Sequence, residues 1–322
     1  MPVPPVKSPP SSSPRVIAHR GGAGLRPEST LAAIDHAGAL GADGVEVDVH
    51  LSADGQVIVH HDYRLRPAAT RRAGRWIGAP GPLVKDLTYA ELQEFDVGGV
   101  DPASKLFREL PELVPCTGQH IPLLTDVIDR LRRTGDMCLL LEMKSEPAAG
   151  PAATDPEILA EHVAGVLLQK DFIDQVIVVG FDWRGLARLG QKLPDVRRGF
   201  LTYPQFVLED APPPSNENEN WWIEGKILRD MASGGASWYG AYPPSAYGGS
   251  SVRAIVAAGG AVWEPYYRDA TPEAVKEAHE AGLKVSVWTA NDAEAFASLM
   301  KAGVDFITTD YPDRLLHFLG RA

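Results

Sequence analysis

At 322 residues the chain is long enough for one large α/β unit with decorations, and 44% hydrophobic with 23% charged residues is an ordinary globular composition. A formal net charge of −11 argues against a nucleic-acid partner, whose phosphates need basic surface. No run approaches the ~20 apolar residues of a spanning helix, so no transmembrane segment is expected. Residues 1–14, rich in Pro and Ser without an apolar stretch, read as a disordered tail and not a secretory signal. Cys116 and Cys138, with no C-x-x-C spacing, read as free thiols, and a cytoplasmic setting is the expectation.

The first predicted strand covers 15–19 and runs into His19-Arg20-Gly21-Gly22, where the glycines permit a tight turn. Pro27 and Glu28 introduce a helix in which Leu31, Ile34 and Leu40 recur with a rough 3.6 period, and Gly41 ends it. In the second strand, 44–50, Val45, Val47 and Val49 alternate with Glu46, Asp48 and His50. Strand geometry therefore puts Glu46 and Asp48 on one face, one pleat apart. Carboxylates that close repel unless one is protonated or a cation lies between them, and an all-oxygen ligand set suits Mg²⁺ or Ca²⁺. E-x-D alone is equally consistent with a solvated surface strand.

After a turn at 52–55, an extended piece at 56–60 ends in His61-Asp62. Residues 63–120 are irregular and Gly/Pro-rich, with an arginine-rich start and one helix-like patch at 88–95. That is too long for a bare loop and predicts a small inserted subdomain. A helix follows through about Arg133. The apolar run 137–141 then predicts a buried strand ending in Glu142 and Lys144, one pleat apart. Further strands read at 175–181, 197–202, 261–265, 284–288 and 305–309. Helices read at 157–169, 183–192, 251–258, 272–281 and 293–302. With the first two strands this makes eight, the count of a closed (β/α)8 TIM barrel whose chemistry sits at the C-terminal strand ends. Residues 204–249 fit poorly; a helical patch at 222–231 is expected there, and packing is favoured over pocket lining for the Trp- and Tyr-rich pieces.

The residues alone thus place two histidines, three carboxylates, Arg20 and Lys144 at one end of a barrel. Phosphodiester cleavage needs charge neutralisation, a base and an acid. A cation with Arg20 and Lys144 can do the first, and His19 with His61 the others. H-R-G-G, P-E-S-T, E-V-D-V-H, V-I-V-H-H-D, L-E-M-K, V-S-V-W-T-A-N-D and I-T-T-D-Y-P-D occur in this order from about Val16 to Leu316. This set resembles the glycerophosphodiester phosphodiesterase family.

The resemblance implies a TIM barrel from residue 15 to 322, with 63–120 inserted over its mouth after the second strand. It implies metal-dependent hydrolysis of small-molecule glycerophosphodiesters to sn-glycerol 3-phosphate and an alcohol. His19 and His61 are then the acid/base pair, with His19 favoured as base. Glu46, Asp48 and Glu142 would hold one divalent cation, Mg²⁺ or Ca²⁺, and Arg20 and Lys144 would contact the phosphate. Trp288 corresponds to an aromatic beside the glycerol. Glu28 supports the site, though Ser29 stands where the family has Asn, and Asp310 is expected to salt-bridge within the site or cap a loop. His60 is read as structural, and His50 carries no comparable context. Competing readings are a lysophospholipase D or sphingomyelinase D-like phosphodiesterase on the same barrel, a non-catalytic binding barrel, and a metal-dependent sugar isomerase barrel. The last leaves H-R-G-G and H-H-D without a job. Head-group preference and oligomeric state are not legible.

Overall fold

In the computed structural model, which describes residues 13–145, 147–202 and 237–321, twelve strands alternate with helices. The strands are β1 (Arg15–Ala18), β2 (Gly44–Leu51), β3 (Val57–Val59), β4 (Arg71–Arg72), β5 (Arg75–Trp76), β6 (Phe95–Asp96), β7 (Cys138–Met143), β8 (Val176–Gly180), β9 (Arg197–Thr202), β10 (Val262–Pro265), β11 (Lys284–Val287) and β12 (Phe306–Thr309). The helices are α1 (Leu31–Leu40), α2 (Tyr89–Leu92), α3 (Lys105–Glu109), α4 (Leu124–Thr134), α5 (Pro156–Gln169), α6 (Trp183–Lys192), α7 (Ser251–Ala257), α8 (Pro272–Glu280), α9 (Ala293–Ala302) and α10 (Pro312–Phe318). Eight strands pair in parallel in the order β1-β2-β7-β8-β9-β10-β11-β12, and β1 pairs with both β2 and β12, closing the barrel. Each barrel strand is followed by a helix before the next, so the fold is a (β/α)8 TIM barrel.

Both faces of each barrel strand are covered, which explains why β7 is a continuous apolar run: Leu139, Leu140 and Leu141 have no exposed surface. Each such side chain contributes roughly 1.5–3 kcal/mol relative to exposure. The helices start where short polar side chains cap them. Asp182 accepts from Arg184 N, Thr271 from Ala274 N, and Asp292 from Ala295 N. α1 starts at Leu31, three residues after Glu28, because Thr30 is its cap; Pro27 and Glu28 lie in the preceding turn. The sequence reading also has no helix at Pro312–Phe318, a seven-residue element too short to show a period.

β3 lies antiparallel on the end of β2, with Val49 opposite Val59, so it extends the sheet without joining the barrel. Beyond it, β5-β4-β6 form a separate three-stranded sheet. Ile58, Leu65, Val84, Leu92, Phe95 and Ile121 pack there into a cluster distinct from the barrel core. The segment touches the loop after β1: Val114 N donates to Leu25 O at 3.0 Å. The expected helix at 222–231 and most of the 204–249 region lie outside the described residues, as does most of the expected tail. Within 237–249, Trp238 and Tyr239 are buried in the barrel core, with Tyr239 edge-on to Trp183 at 4.9 Å. Both cysteines are free. No helix among the described residues is long and apolar enough to cross a membrane.

Candidate active site

β1 ends at Ala18, and His19 opens a short turn in which Arg20 has φ 50°, followed by Gly21 at φ 84° and Gly22 at φ 94°. The left-handed backbone curls Arg20 back over β2 and costs least with glycine on either residue that follows. At Gly21 a Cβ would lie 2.7 Å from Ala33 Cβ. The curl lets Arg20 N donate to Glu46 Oε2 at 3.0 Å. Its side chain lies 3.2 Å from Glu28 Oε2 and 3.6 Å from Asp48 Oδ2. Burial works against the Arg20 guanidinium, but Glu28, Asp48, Glu46 and Asp62 outweigh it and hold it firmly charged. Ser29 also has a positive φ, 57°, a conformation asparagine adopts more easily than serine.

On the next strands the period-2 argument holds. Val45, Val47 and Val49 have no exposed surface, while Glu46 and Asp48 share the opposite face. The parallel register sets Asp48 beside Glu142. Ligand oxygens of Glu46, Asp48 and Glu142 all lie within 4.8 Å of one another. Lys144 Nζ donates to Glu142 Oε1 at 2.8 Å and lies 3.9 Å from Asp48 Oδ1. Burial and then Glu142 push Glu46 up to about 8; burial, Glu46 and Glu142 push Asp48 well above the usual carboxylate range. Glu46 Oε1 and Asp48 Oδ2 are buried without a hydrogen-bond partner. Buried oxygens left unpaired are costly, and three convergent carboxylates with two such atoms match the all-oxygen coordination of a hard divalent cation.

Both histidines are held the same way. His19 Nδ1 lies 2.6 Å from Asp310 Oδ1, and His61 Nδ1 lies 2.7 Å from Asp62 Oδ1. A carboxylate at Nδ1 selects the Nδ1–H tautomer and leaves Nε2 available. His19 Nε2 lies 3.9 Å from Glu46 Oε2. Burial would raise Asp310, but His19 and then Asn291 hold it at about 2. Asn291 Nδ2 donates to Asp310 Oδ2 at 2.7 Å, and Asn291 Oδ1 accepts from Asp310 N at 2.9 Å. Burial, Arg20 and Lys144 hold His61 well below the usual histidine range. Burial would raise Asp62, but Arg66 and His61 hold it well below the carboxylate range.

His19, Arg20, Glu28, Glu46, Asp48, Glu142 and Lys144 therefore form one chain of contacts, and His61 joins it through Asp62, Arg66 and Glu28. Trp288 stands apart from that chain at the end of β11, edge-on to Phe181 and to Tyr266, each at 5.5 Å, with Nε1 donating to Glu264 O at 3.1 Å. Several participants were not singled out from sequence. Asp62 and Asn291 lie inside the H-H-D and T-A-N-D motifs, which signal them. His50 shares a face with Glu46 and Asp48, and its Nε2 donates to His61 O at 3.0 Å, which fixes the backbone that carries the second imidazole. Glu264 is 2% exposed within β10; Ser286 Oγ donates to its Oε1 at 2.9 Å, and its Oε2 has no partner. Burial pushes Glu264 up to about 8. A single carboxylate in V-W-E-P carries no local signal.

The sequence profile of the glycerophosphoryl diester phosphodiesterase family matches residues 19–314. A glycerophosphodiester phosphodiesterase of Caldanaerobacter subterraneus subsp. tengcongensis is 27% identical over 304 residues, covering 94% of this chain and 97% of the relative. The crystal structure of a Silicibacter pomeroyi protein, provisionally assigned as a glycerophosphoryl diester phosphodiesterase, is 32% identical with a TM-score of 0.79, covering 98% of this chain and 95% of that one. An Oleispira antarctica phosphodiesterase, solved in complex with the product sn-glycerol-3-phosphate, has the same fold at 24% identity and a TM-score of 0.66, covering 96% and 97% of the two chains. With the match spanning the barrel from His19 to Arg314, the chain belongs to the glycerophosphoryl diester phosphodiesterase family and is a phosphoric diester hydrolase.

Proposed function

We propose that the protein hydrolyses glycerophosphodiesters to sn-glycerol 3-phosphate and an alcohol, with His19 and His61 as the acid/base pair and one divalent cation held by Glu46, Asp48 and Glu142. The observation that carries this is the pairing of two carboxylate-tethered imidazoles with three convergent carboxylates, two of whose buried oxygens, Glu46 Oε1 and Asp48 Oδ2, lack hydrogen-bond partners. The glycerol phosphate bound by the Oleispira antarctica relative supports the same product class. Mg²⁺ or Ca²⁺ at that trio would supply Lewis-acid stabilisation of charge on the phosphoryl oxygens.

The protein's own groups do the rest. Arg20 and Lys144, both paired with the acidic trio, present positive charge to the diester and orient it. The electrostatics favour a division of labour opposite to the expected one. His61, held below the usual histidine range by burial, Arg20 and Lys144, is unprotonated and offers an Nε2 lone pair as the base. His19, with Asp310 and Glu46 as counter-charges, is placed to act as the acid. His61 Nε2 takes the proton of the substrate hydroxyl neighbouring the phosphorus, whose oxygen bonds to phosphorus. His19 gives its Nε2 proton to the leaving alkoxide as the P–O bond breaks. Water then opens the cyclic phosphate with the two roles exchanged.

The test is release of sn-glycerol 3-phosphate from glycerophosphocholine, with and without chelator. His19→Ala and His61→Ala should each lower kcat by roughly 10²–10⁴-fold with melting behaviour unchanged. Chelation should abolish turnover and added cation restore it. Wild-type rates in either mutant would remove the acid/base assignment; full activity in chelator would remove the cation.

A further inference from the structure

Arg66 belongs to the segment inserted between β3 and α4, yet it reaches into the site. Its Nε donates to Asp62 Oδ2 at 2.9 Å, and its Nη2 lies 3.5 Å from Glu28 Oε1. The other oxygen of Asp62 holds His61 Nδ1 at 2.7 Å, and the other partner of Glu28 is Arg20 at 3.2 Å. One guanidinium therefore fixes the carboxylates that hold the second imidazole and Arg20 at once. Its own backbone is tightly held. Leu65 has no exposed surface and anchors the insertion's separate core, with its N–H donating to Pro82 O at 3.0 Å. Pro67 follows as the first residue of a short 3-10 turn. At Gly81 a Cβ would lie 1.8 Å from Leu65 O, so two stretches of the insertion's backbone meet there too closely for any other residue.

We infer that Arg66 is a positioning residue for the reaction, acting through Asp62 on His61, and that the inserted segment serves the barrel by holding this guanidinium in place. The inference rests on the acid/base reading of His61. An aspartate alone leaves the imidazole free to swing with it; an aspartate braced by a forked cation does not. The titratable and charged groups facing the His61–Asp62 pair are Arg66 from the insertion, His60 beside His61 in the chain, Arg20 from the loop after β1, Lys144 from the end of β7, and Glu28 from the turn before α1.

The experiment measures kcat, KM and the pH–rate profile of the full chain for Arg66→Ala, Arg66→Met, Arg66→Lys, Asp62→Asn and the Asp62→Asn/Arg66→Met double variant. Glycerophosphocholine is the substrate and a saturating divalent cation is present. Arg66→Met should lower kcat by roughly 10–100-fold, the cost typical of losing an outer partner of a reactive group, with KM near wild type. The acidic limb should move to higher pH, because Asp62 without its cation protonates sooner. Arg66→Lys should recover part of the loss, since the charge returns without the fork. In the Asp62→Asn background Arg66→Met should cost little more, because the two act in series. Arg66→Met with wild-type kcat and pH profile overturns the proposal. So does a loss that adds fully to that of Asp62→Asn, or one matched by a lowered melting temperature with the pH limb unmoved. If Arg66→Ala fails to fold, the bulk-preserving Arg66→Met decides. If His61→Ala itself keeps the wild-type rate, the acid/base reading falls, and that outcome is separate from any result at Arg66.

Discussion

Glu264 shows how one side chain can set a protein's response to pH. Its folded-state value is pushed to about 8, above the range of an exposed glutamate, so the folded form holds a proton that the unfolded chain gives up. Its contribution is therefore least unfavourable at acidic pH. Stability is lost progressively as pH rises from the unfolded glutamate range toward 8, and the loss levels off above that. Glu264→Gln removes the titration while keeping an acceptor for Ser286 Oγ. The variant should unfold at a higher urea concentration than wild type at pH 8, and the two should converge near pH 5, both in chelator. Equal midpoints at pH 8 would show that the carboxyl is not held protonated. At this scale the sequence was informative where motifs were dense. His19, Arg20, Glu46, Asp48, Glu142 and Lys144 were identifiable because strand periodicity and strand ends place them. Glu264 was not, since its importance comes from what surrounds it in three dimensions.

Among the elements, the seam between β2 and β7 matters most, because Glu46 and Asp48 lie on one strand and Glu142 on the other. The seam starts at Gly44, where a Cβ would lie 2.5 Å from Cys138 Sγ and 2.6 Å from Cys138 O. The second of these atoms is backbone and cannot swing aside, so the strands would have to part. Gly44→Ala should destabilise by about 1–3 kcal/mol, the usual cost of overpacking, read as a lower urea midpoint. It should also weaken divalent-cation binding measured by calorimetry, since the ligands separate with the strands. Strands like these were legible because apolar runs and alternation survive in the sequence. Starts of helices were less so: Thr30, not Pro27, caps α1, and the competing proline signal is local while the cap is decided by which hydroxyl meets Ala33 N. The short α10 left no period to read.

For the whole molecule, the proposed cation site would couple ion binding to folding, because the fold alone brings Glu46, Asp48 and Glu142 together. Burial and the neighbouring carboxylates push Glu46 up to about 8 and Asp48 well above its usual range, so in the cation-free fold the stability they contribute declines as pH climbs above the usual carboxylate range. A divalent cation takes the deprotonated carboxylates, and its stabilising effect should grow over the same range. Melting temperature with Mg²⁺ or Ca²⁺ minus that in chelator should be small at pH 5 and large at pH 8; cation at 100 times its Kd would contribute about 2.7 kcal/mol. A difference that stays flat with pH would separate the trio from the ion. The barrel was readable as a count of eight βα units, whereas the spatial link between the insertion and the site was not, because no local pattern says where Arg66 will point.

His19 and Asp310 lie 291 positions apart in the chain and meet at 2.6 Å where the first strand docks on the last. The imidazole proposed for acid/base work thus gets its carboxylate partner only when the first and last barrel strands have found each other. A ribosome-bound or prematurely terminated product, however well its early strands are folded, carries the first half of the machinery without the group that aims it. If His19 acts as proposed, turnover reports that the first and last barrel strands have paired and the ring has shut.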